Sequence, residues 1–163
     1  MIPSALTYAR YLIATMADPS ARALLLAHAR GIESNTKDHR IALGAAVDYL
    51  LTGQDQGSDA GMGSYHLNKG WGASYPETTG YAIPTLIAAS GPLQRPDLCH
   101  AAIRAAEWLL AIQHADGGWQ GGRVGEGRPS IVFNTAQVVR GMLATHRITQ
   151  RPEFLEAAVR AGL

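Results

Sequence analysis

Cysteine is nearly absent from this sequence, which has one, Cys99, among 163 residues. A single cysteine cannot form a disulfide within the chain, so no oxidising compartment is implied. Charge is also sparse: 17% of residues are charged, the net charge is +1, and the basic residues are scattered. Nucleic-acid-binding proteins usually carry a basic stripe, and its lack here argues against that function.

Long hydrophobic runs are missing as well. No apolar run approaches the roughly 20 residues that a membrane-spanning helix needs. The first six residues carry no basic region of the kind that opens a secretory signal. We therefore expect a soluble, cytoplasmic protein without a membrane span.

Several chemical motifs are missing too. The sequence has no phosphate-binding loop, no calcium loop and no Gly-x-Ser-x-Gly turn. Cys99 and His100 are adjacent, so on a helix they point about 100° apart and cannot share one metal ion without help. The other histidines have no spacing that indicates a metal site. We expect neither a metal ion nor a cofactor.

What the sequence does contain favours a helical core. Hydrophobic residues make up 47% of the chain, alanine is abundant and β-branched runs are short. The length is that of one domain, 1–163. Two candidate helices, 4–16 and 20–33, come first and are separated by Asp18-Pro19-Ser20.

The rest of the chain repeats itself. Residues 95–105 match residues 151–161 at an offset of 56, with six identities, and residues 46–54 match 105–113 at an offset of 59. Each repeat predicts a helical hairpin with a Gly-rich loop. The units are 35–90, with loop 55–75 and a second helix at 76–90; 95–147, with helices 97–114 and 131–147 around loop 115–130; and the start of a third, 151–163.

Prolines and glycines should mark the helix ends. Pro76 suits the first turn of a helix, Gly91 suggests a stop, and Pro84 should kink or split the helix that contains it. A repeat cannot bury its apolar face alone. We therefore expect either that the chain is a fragment or that its open edge meets another copy.

One segment resembles a known repeat. Residues 105–119 place Trp108, Gln113, Gly117, Gly118 and Trp119 in the spacing of the QW repeat of squalene cyclases and prenyltransferases. The earlier unit holds a degraded version, and the resemblance covers about residues 36–163. In physical terms, Gln113 can donate to the backbone of the following loop, and Trp119 can fold over the helix end with its indole N–H on a carbonyl.

The resemblance implies an all-α fold, an α/α toroid of helical hairpins, of which this chain would form a partial or open one. The acidic motifs of that superfamily are missing: there is no Asp-x-Asp-Asp and no Asp-Asp-x-x-Asp. Terpene cyclisation and prenyl transfer are therefore supported only by the analogy of fold.

Residues 63–86, which include "GWGASYPETTGY", look like a segment of bacterial repeat proteins found among polysaccharide-biosynthesis genes. Sugar rings stack on flat aromatics, and their hydroxyls need hydrogen-bond partners. The candidate catalytic residues are Glu77, with His66 or Tyr65 as its proton partner. The candidate substrate-binding residues are Trp71, Tyr75, Tyr81, Asn68, Lys69, Thr78, Asn134 and Arg123.

Glu77 also has an ordinary explanation. It lies in the first turn of its helix, where the helix dipole stabilises a carboxylate by about 0.3–1 kcal/mol. That position favours a base, a nucleophile or a hydrogen-bond acceptor over a general acid. The hypothesis is a protein that binds, and could modify by hydrolysis, lyase action or epimerisation, a bacterial polysaccharide or oligosaccharide. The alternatives are a non-catalytic glycan-binding module and an isoprenoid enzyme.

Overall fold

The computed structural model describes residues 5–31 and 38–162. This part of the chain is mostly helical, with seven α-helices and one two-stranded sheet, β1 (Tyr65–His66) and β2 (Gly70–Trp71). The helices, in chain order, are α1 (Ala5–Ala17), α2 (Pro19–Ala29), α3 (His39–Asp55), α4 (Pro76–Leu93), α5 (Asp97–Ala111), α6 (Val132–Thr149) and α7 (Pro152–Arg160). The all-α prediction is confirmed.

The chain divides into two compact units. The described residues of the first unit are 5–31 and 65–70, which contain α1 and α2 packed against each other. Those of the second unit are 38–64 and 71–162, which contain α3 to α7. The prediction of a single domain stays a prediction.

The core of the second unit lies between long helices. α4 packs against both α5 and α6, and α6 packs in turn against α7. Alanines on α5 allow close approach, and the largest fully buried side chains include Trp119, Phe154, Ile83 and Leu86. Helix ends follow the local chemistry, since Asp38 caps α3 by accepting from the backbone N–H of Arg40 at 2.9 Å.

Helix positions were predicted closely, and the largest differences are in α2, α4 and α5. α4 continues as one helix through Pro84 and Gly91 to Leu93. Of the two outcomes predicted for Pro84, a kink or a split, the split does not occur, and the prediction that Gly91 ends the helix is wrong. α5 ends three residues before the predicted 114, and α2 ends at Ala29. The predicted boundaries at residues 4, 33, 35 and 163 lie outside the described residues.

The two repeats share one hydrogen-bond pattern at the end of the first helix. Gln113 Nε2 donates to Gly117 O at 2.7 Å and to Ala157 O at 2.9 Å, and Gln54 Nε2 donates to Ala60 O and Ala101 O at 2.9 and 3.0 Å. Each glutamine thus ties its own loop to the helix that follows the repeat, α5 for Gln54 and α7 for Gln113. The predicted bond from Gln113 to the following loop is confirmed.

Trp119 behaves as predicted. Its indole N–H donates to Leu109 O at 2.8 Å, and the side chain is fully buried. Met62 occupies the corresponding position in the first repeat and is buried equally. The backbone N–H of each donates to a threonine hydroxyl of the following helix, Thr135 at 3.0 Å and Thr79 at 2.8 Å.

An arginine makes the same pair of ion pairs at the start of α5 and at the start of α7. Arg95 pairs with Asp48 on α3 and with Asp97, each at 2.7 Å, and holds the pKa of Asp97 below its usual range. Arg151 pairs with Glu107 and Glu153 at 2.5 and 2.7 Å. The repeat seen in the sequence is therefore a repeat of contacts.

Candidate functional site

Four of the predicted site residues lie in the first unit, where the hairpin meets α1. Thr15 Oγ1 donates to Asn68 Oδ1 at 2.9 Å, and Asn68 Nδ2 donates to Tyr11 O at 3.3 Å. The ring of His66 lies edge-on to that of Tyr11, 5.7 Å between centroids. Lys69 and Tyr65 are exposed. The amide of Asn68 therefore holds the hairpin to α1.

Trp71 and Tyr75 lie in the second unit, and both are half-buried. The Trp71 ring packs against Tyr49, 5.3 Å between centroids, and a Cβ on Gly53 would come within 3.1 Å of it. Tyr75 is the N-cap of α4: its N–H donates to Met62 O, and its carbonyl accepts from Thr79. Trp71 packs on α3, and the backbone of Tyr75 anchors the start of α4.

Glu77 and Tyr81 lie one turn apart on α4. Residues at i, i+4, i+7 and i+11 share one face of a helix, so Glu77, Tyr81, Pro84 and Ala88 are aligned. The last three of these line a cleft of about 470 Å³, together with Leu43, Thr85, Ala89 and Arg140 of α6. We call this the α4–α6 cleft. Thr78 is exposed at the start of the same helix.

The α4–α6 cleft combines one aromatic ring with one cation. The Tyr81 side chain is 38% exposed. Arg140 is exposed and donates from Nη1 to Gln137 Oε1 at 2.8 Å, which leaves its other N–H groups to bind a partner. The remaining walls are mostly apolar. An apolar pocket with a few placed polar groups is the usual form of a small-ligand site.

Asn134 occupies the position on α6 that Thr78 has on α4. It is only 5% exposed, and its Nδ2 has no hydrogen-bond partner among the described residues. A buried amide donor normally has a partner, from the protein or from water. Asn134 lines neither the α4–α6 cleft nor the cleft between α6 and α7 that is described below.

Arg123 lies where the two long loops meet. Val124 N–H donates to Ser74 O at 2.9 Å, and a Cβ on Gly72 would lie 3.4 Å from Arg123 Cζ. The two long loops therefore lie side by side at this point. Arg128 in the same loop pairs with Glu126 at 2.7 Å.

A second cleft, of about 510 Å³, lies between α6 and α7. We call it the α6–α7 cleft. Its walls include Ile131, Thr135, Ala136, Val139 and Ala158. Most of the side chains in this wall are small or aliphatic.

A polar cluster lies at the edge of the α6–α7 cleft. Asp116 Oδ1 accepts from the Gly118 N–H at 3.0 Å and from the Ser130 hydroxyl at 2.9 Å, and these bonds hold the pKa of Asp116 below its usual range. His114 Nδ1 lies 3.0 Å from the same hydroxyl. In the first repeat, Asp59 binds Gly61 and Ser74 identically. The Asp–Ser pair thus stabilises the same turn in both repeats.

Within 5–31 and 38–162, no three His, Cys, Asp or Glu side chains are grouped closely enough to hold a metal ion. In the same two ranges, no helix combines the length and apolarity that crossing a bilayer requires.

Sequence reasoning missed Arg140 and the α6–α7 cleft. Arg140 carries no motif, and only its repeat partner Pro84, on the face of Glu77 and Tyr81, could have indicated it. Glu77, in the second unit, and His66 and Tyr65, in the first, remain a predicted catalytic group. Comparison with protein-family models, with curated proteins and with solved structures finds no match to this chain.

Proposed function

We propose that this chain binds an acidic oligosaccharide in the α4–α6 cleft. One observation carries the proposal: the partly exposed ring of Tyr81 and the guanidinium of Arg140 line the same cleft of about 470 Å³. An aromatic face stacks on the CH face of a sugar ring. A guanidinium binds a sugar carboxylate through two parallel hydrogen bonds.

The scaffold in this proposal is an arc of an α/α toroid of the QW-repeat type. The bonds of Gln113 and Trp119 at the end of α5, repeated in part by Gln54, support it. So does the packing, since α4 contacts α6, and each of the two also contacts the helix before it, α3 for α4 and α5 for α6. In a toroid the inner helices line the ligand cavity, which is where Tyr81 and Arg140 would then lie.

The role of Glu77 differs between a binding module and an enzyme. It shares the α4 face with Tyr81 and lies one turn closer to the loops. For a binding module, Glu77 only accepts hydrogen bonds from sugar hydroxyls. For a hydrolase, lyase or epimerase, Glu77 would act as the base or the nucleophile.

The apolar walls of the cleft favour a second candidate ligand. Leu43, Pro84, Ala88 and Ala89 could pack against an isoprenoid chain, and Arg140 could hold its diphosphate. This function would follow the isoprenoid enzymes that the repeat resembles.

A thermal-shift assay against neutral and acidic oligosaccharides, with farnesyl and geranylgeranyl diphosphate in the same plate, tests the proposal. A ligand at a hundred times its dissociation constant stabilises the folded chain by about 2.7 kcal/mol. We expect acidic oligosaccharides to raise Tm, and Tyr81→Ala and Arg140→Ala to abolish the shift. Arg147→Ala is the matched control, because Arg147 is exposed on α6 outside the cleft.

A shift with the diphosphates alone would replace the glycan by an isoprenoid. A sugar shift that survives both cleft variants would contradict the assigned cleft. With a ligand in hand, Glu77→Gln separates the two roles. A binding module keeps most of its affinity, whereas an enzyme keeps binding and loses turnover.

A further inference from the structure

The contact between the two repeats shows what the α6–α7 cleft would accept. On the first repeat, α6 lies against α4 so closely that a Cβ on Gly80 would come within 2.7 Å of Gln137 O and 2.8 Å of Val138 Cα. The Trp108 ring covers Gly61, at 2.6 Å from a Cβ built there. A helix backbone and an aromatic ring therefore cover the first repeat.

The α6–α7 cleft is the same surface one repeat later. At an offset of 56, three of its residues align with buried residues of the first repeat: Thr135 with Thr79, Ala136 with Gly80 and Val139 with Ile83. Ala158 on α7 aligns in the same way with the buried Ala102 on α5. The second repeat thus carries the receiving half of the repeat-to-repeat interface. α7 already covers its outer part, through Gln113 and Ala157.

The covering half is present on the first repeat. Tyr49 on α3 aligns with Trp108 at an offset of 59, and its side chain is 52% exposed. The backbone of α4 at Tyr81 and Ala82 aligns with that of α6 at Gln137 and Val138. The surface formed by Tyr49 and the flank of α4 therefore corresponds, by the alignment of the repeats, to the surface that covers the first repeat. It should fit the α6–α7 cleft in the same way.

We propose that the α6–α7 cleft binds a second copy of this chain, head to tail, through the surface that carries Tyr49. The Tyr49 ring then covers Gly118 as Trp108 covers Gly61, and the flank of α4 lies along Ala136 and Val139. This contact continues the interface that joins the two repeats within one chain. The surface includes Tyr81 and Thr85, which also line the α4–α6 cleft, so a second copy and a ligand of that cleft would compete.

The size of the side chains at the contact determines how strongly the two copies associate. Gly80 and Gly141 face each other in the contact within the chain, where a Cβ on Gly141 would lie 3.1 Å from Gly80 O. The corresponding residues between copies are Ala136 and Thr85. These side chains hold the helices farther apart, so the copies associate reversibly and more weakly than the repeats within a chain.

Because a head-to-tail contact joins two different surfaces, it forms closed rings or open chains of copies. Sedimentation velocity of the full chain over a range of concentrations tests this. We expect concentration-dependent association. Ala136→Trp fills the cleft and Tyr49→Ala removes the aromatic ring, and each should weaken the association by at least about tenfold. Glu156→Trp, exposed on α7 outside the cleft, is the matched control.

Mixing the two variants makes the test specific. Ala136→Trp keeps an intact Tyr49 surface and Tyr49→Ala keeps an intact cleft, so a mixture restores one contact and yields a dimer. Circular dichroism verifies that each variant folds. A chain that stays monomeric at all concentrations would overturn the proposal. So would association that only Ala136→Trp abolishes, which would indicate cleft-to-cleft pairing.

Discussion

The two repeats of the second unit place polar hydrogen bonds at the same positions and fill the space between them differently. Gln54 and Gln113 make the same pair of bonds, and the Asp–Ser pair recurs without change. The apolar residue under the loop is Met62 in one repeat and Trp119 in the other. The polar bonds fix the path of the loop, and the apolar residue only has to fill the volume that remains.

The largest expected effect on stability comes from truncating the apolar side chain under the loop. Trp119→Ala should lower the free energy of unfolding by about 3–5 kcal/mol, because it leaves a cavity and removes the bond to Leu109 O. Met62→Ala should cost less, because it removes fewer atoms and no side-chain hydrogen bond. Urea unfolding of both variants measures the difference. Equal costs would contradict the assignment of the indole bond.

A second prediction concerns the contact between α4 and α6. Gly80→Ala should cost about 3 kcal/mol, at the upper end for overpacking, because the new methyl group meets backbone atoms that cannot move aside. Ala136→Gly changes the aligned position in the opposite sense and should cost about 1 kcal/mol or less, from helix propensity alone. Chemical denaturation of the two variants compares a position in the packed α4–α6 contact, Gly80, with the aligned position in the α6–α7 cleft, Ala136. A harmless Gly80→Ala would mean that the helices can separate.

The glutamine bonds should matter more where they are buried. Gln54 is 2% exposed and Gln113 is half-buried. Gln54→Leu removes a buried bond to Ala101 O and a partly buried bond to Ala60 O, and should lower the free energy of unfolding by about 1–3 kcal/mol. Gln113→Leu should cost less, because water can replace part of what is lost. If Gln113→Leu lowered the free energy of unfolding more than Gln54→Leu, burial would not determine how much these hydrogen bonds contribute.

The smallest effect is electrostatic. Because the native pKa of Asp116 is lowered from 3.8, its carboxylate stabilises the folded chain above that pH, and the contribution is lost as the pH falls through the native pKa. The Tm difference between the wild type and Asp116→Asn should be constant above about pH 5 and shrink below about pH 4. Ser130→Ala should weaken the same trend. A difference that grows in acid would contradict this sign.

The sequence predicted the helices well because their periodicity is local. Pro84 shows where local reasoning fails: the missing N–H argues for a break, yet Ile83 and Leu86 on either side are fully buried. Packing against α5 and α6 outweighs the local penalty. The β1–β2 hairpin was missed because strands of two residues have no detectable alternation.

The candidate site was predicted only in part. Tyr81 lines a cleft and Glu77 shares its helix face, and the role of both as site residues stays a prediction. Trp71 packs on Tyr49 instead, because the loop folds back over α3. Arg140 lies 59 residues from Tyr81 along the chain, and only the packing of α4 on α6 brings the two to one cleft.

The glutamine bonds also bear on the order in which the chain can fold while it is being synthesised. Gln54 finds its second acceptor 47 residues later, at Ala101, and Gln113 finds its own 44 residues later, at Ala157. A ribosome adds about 5–20 residues per second, so several seconds separate each amide from its partner. Each hairpin therefore leaves the ribosome unfinished and is completed only when the following helix emerges, which gives folding a direction from the first repeat to the last.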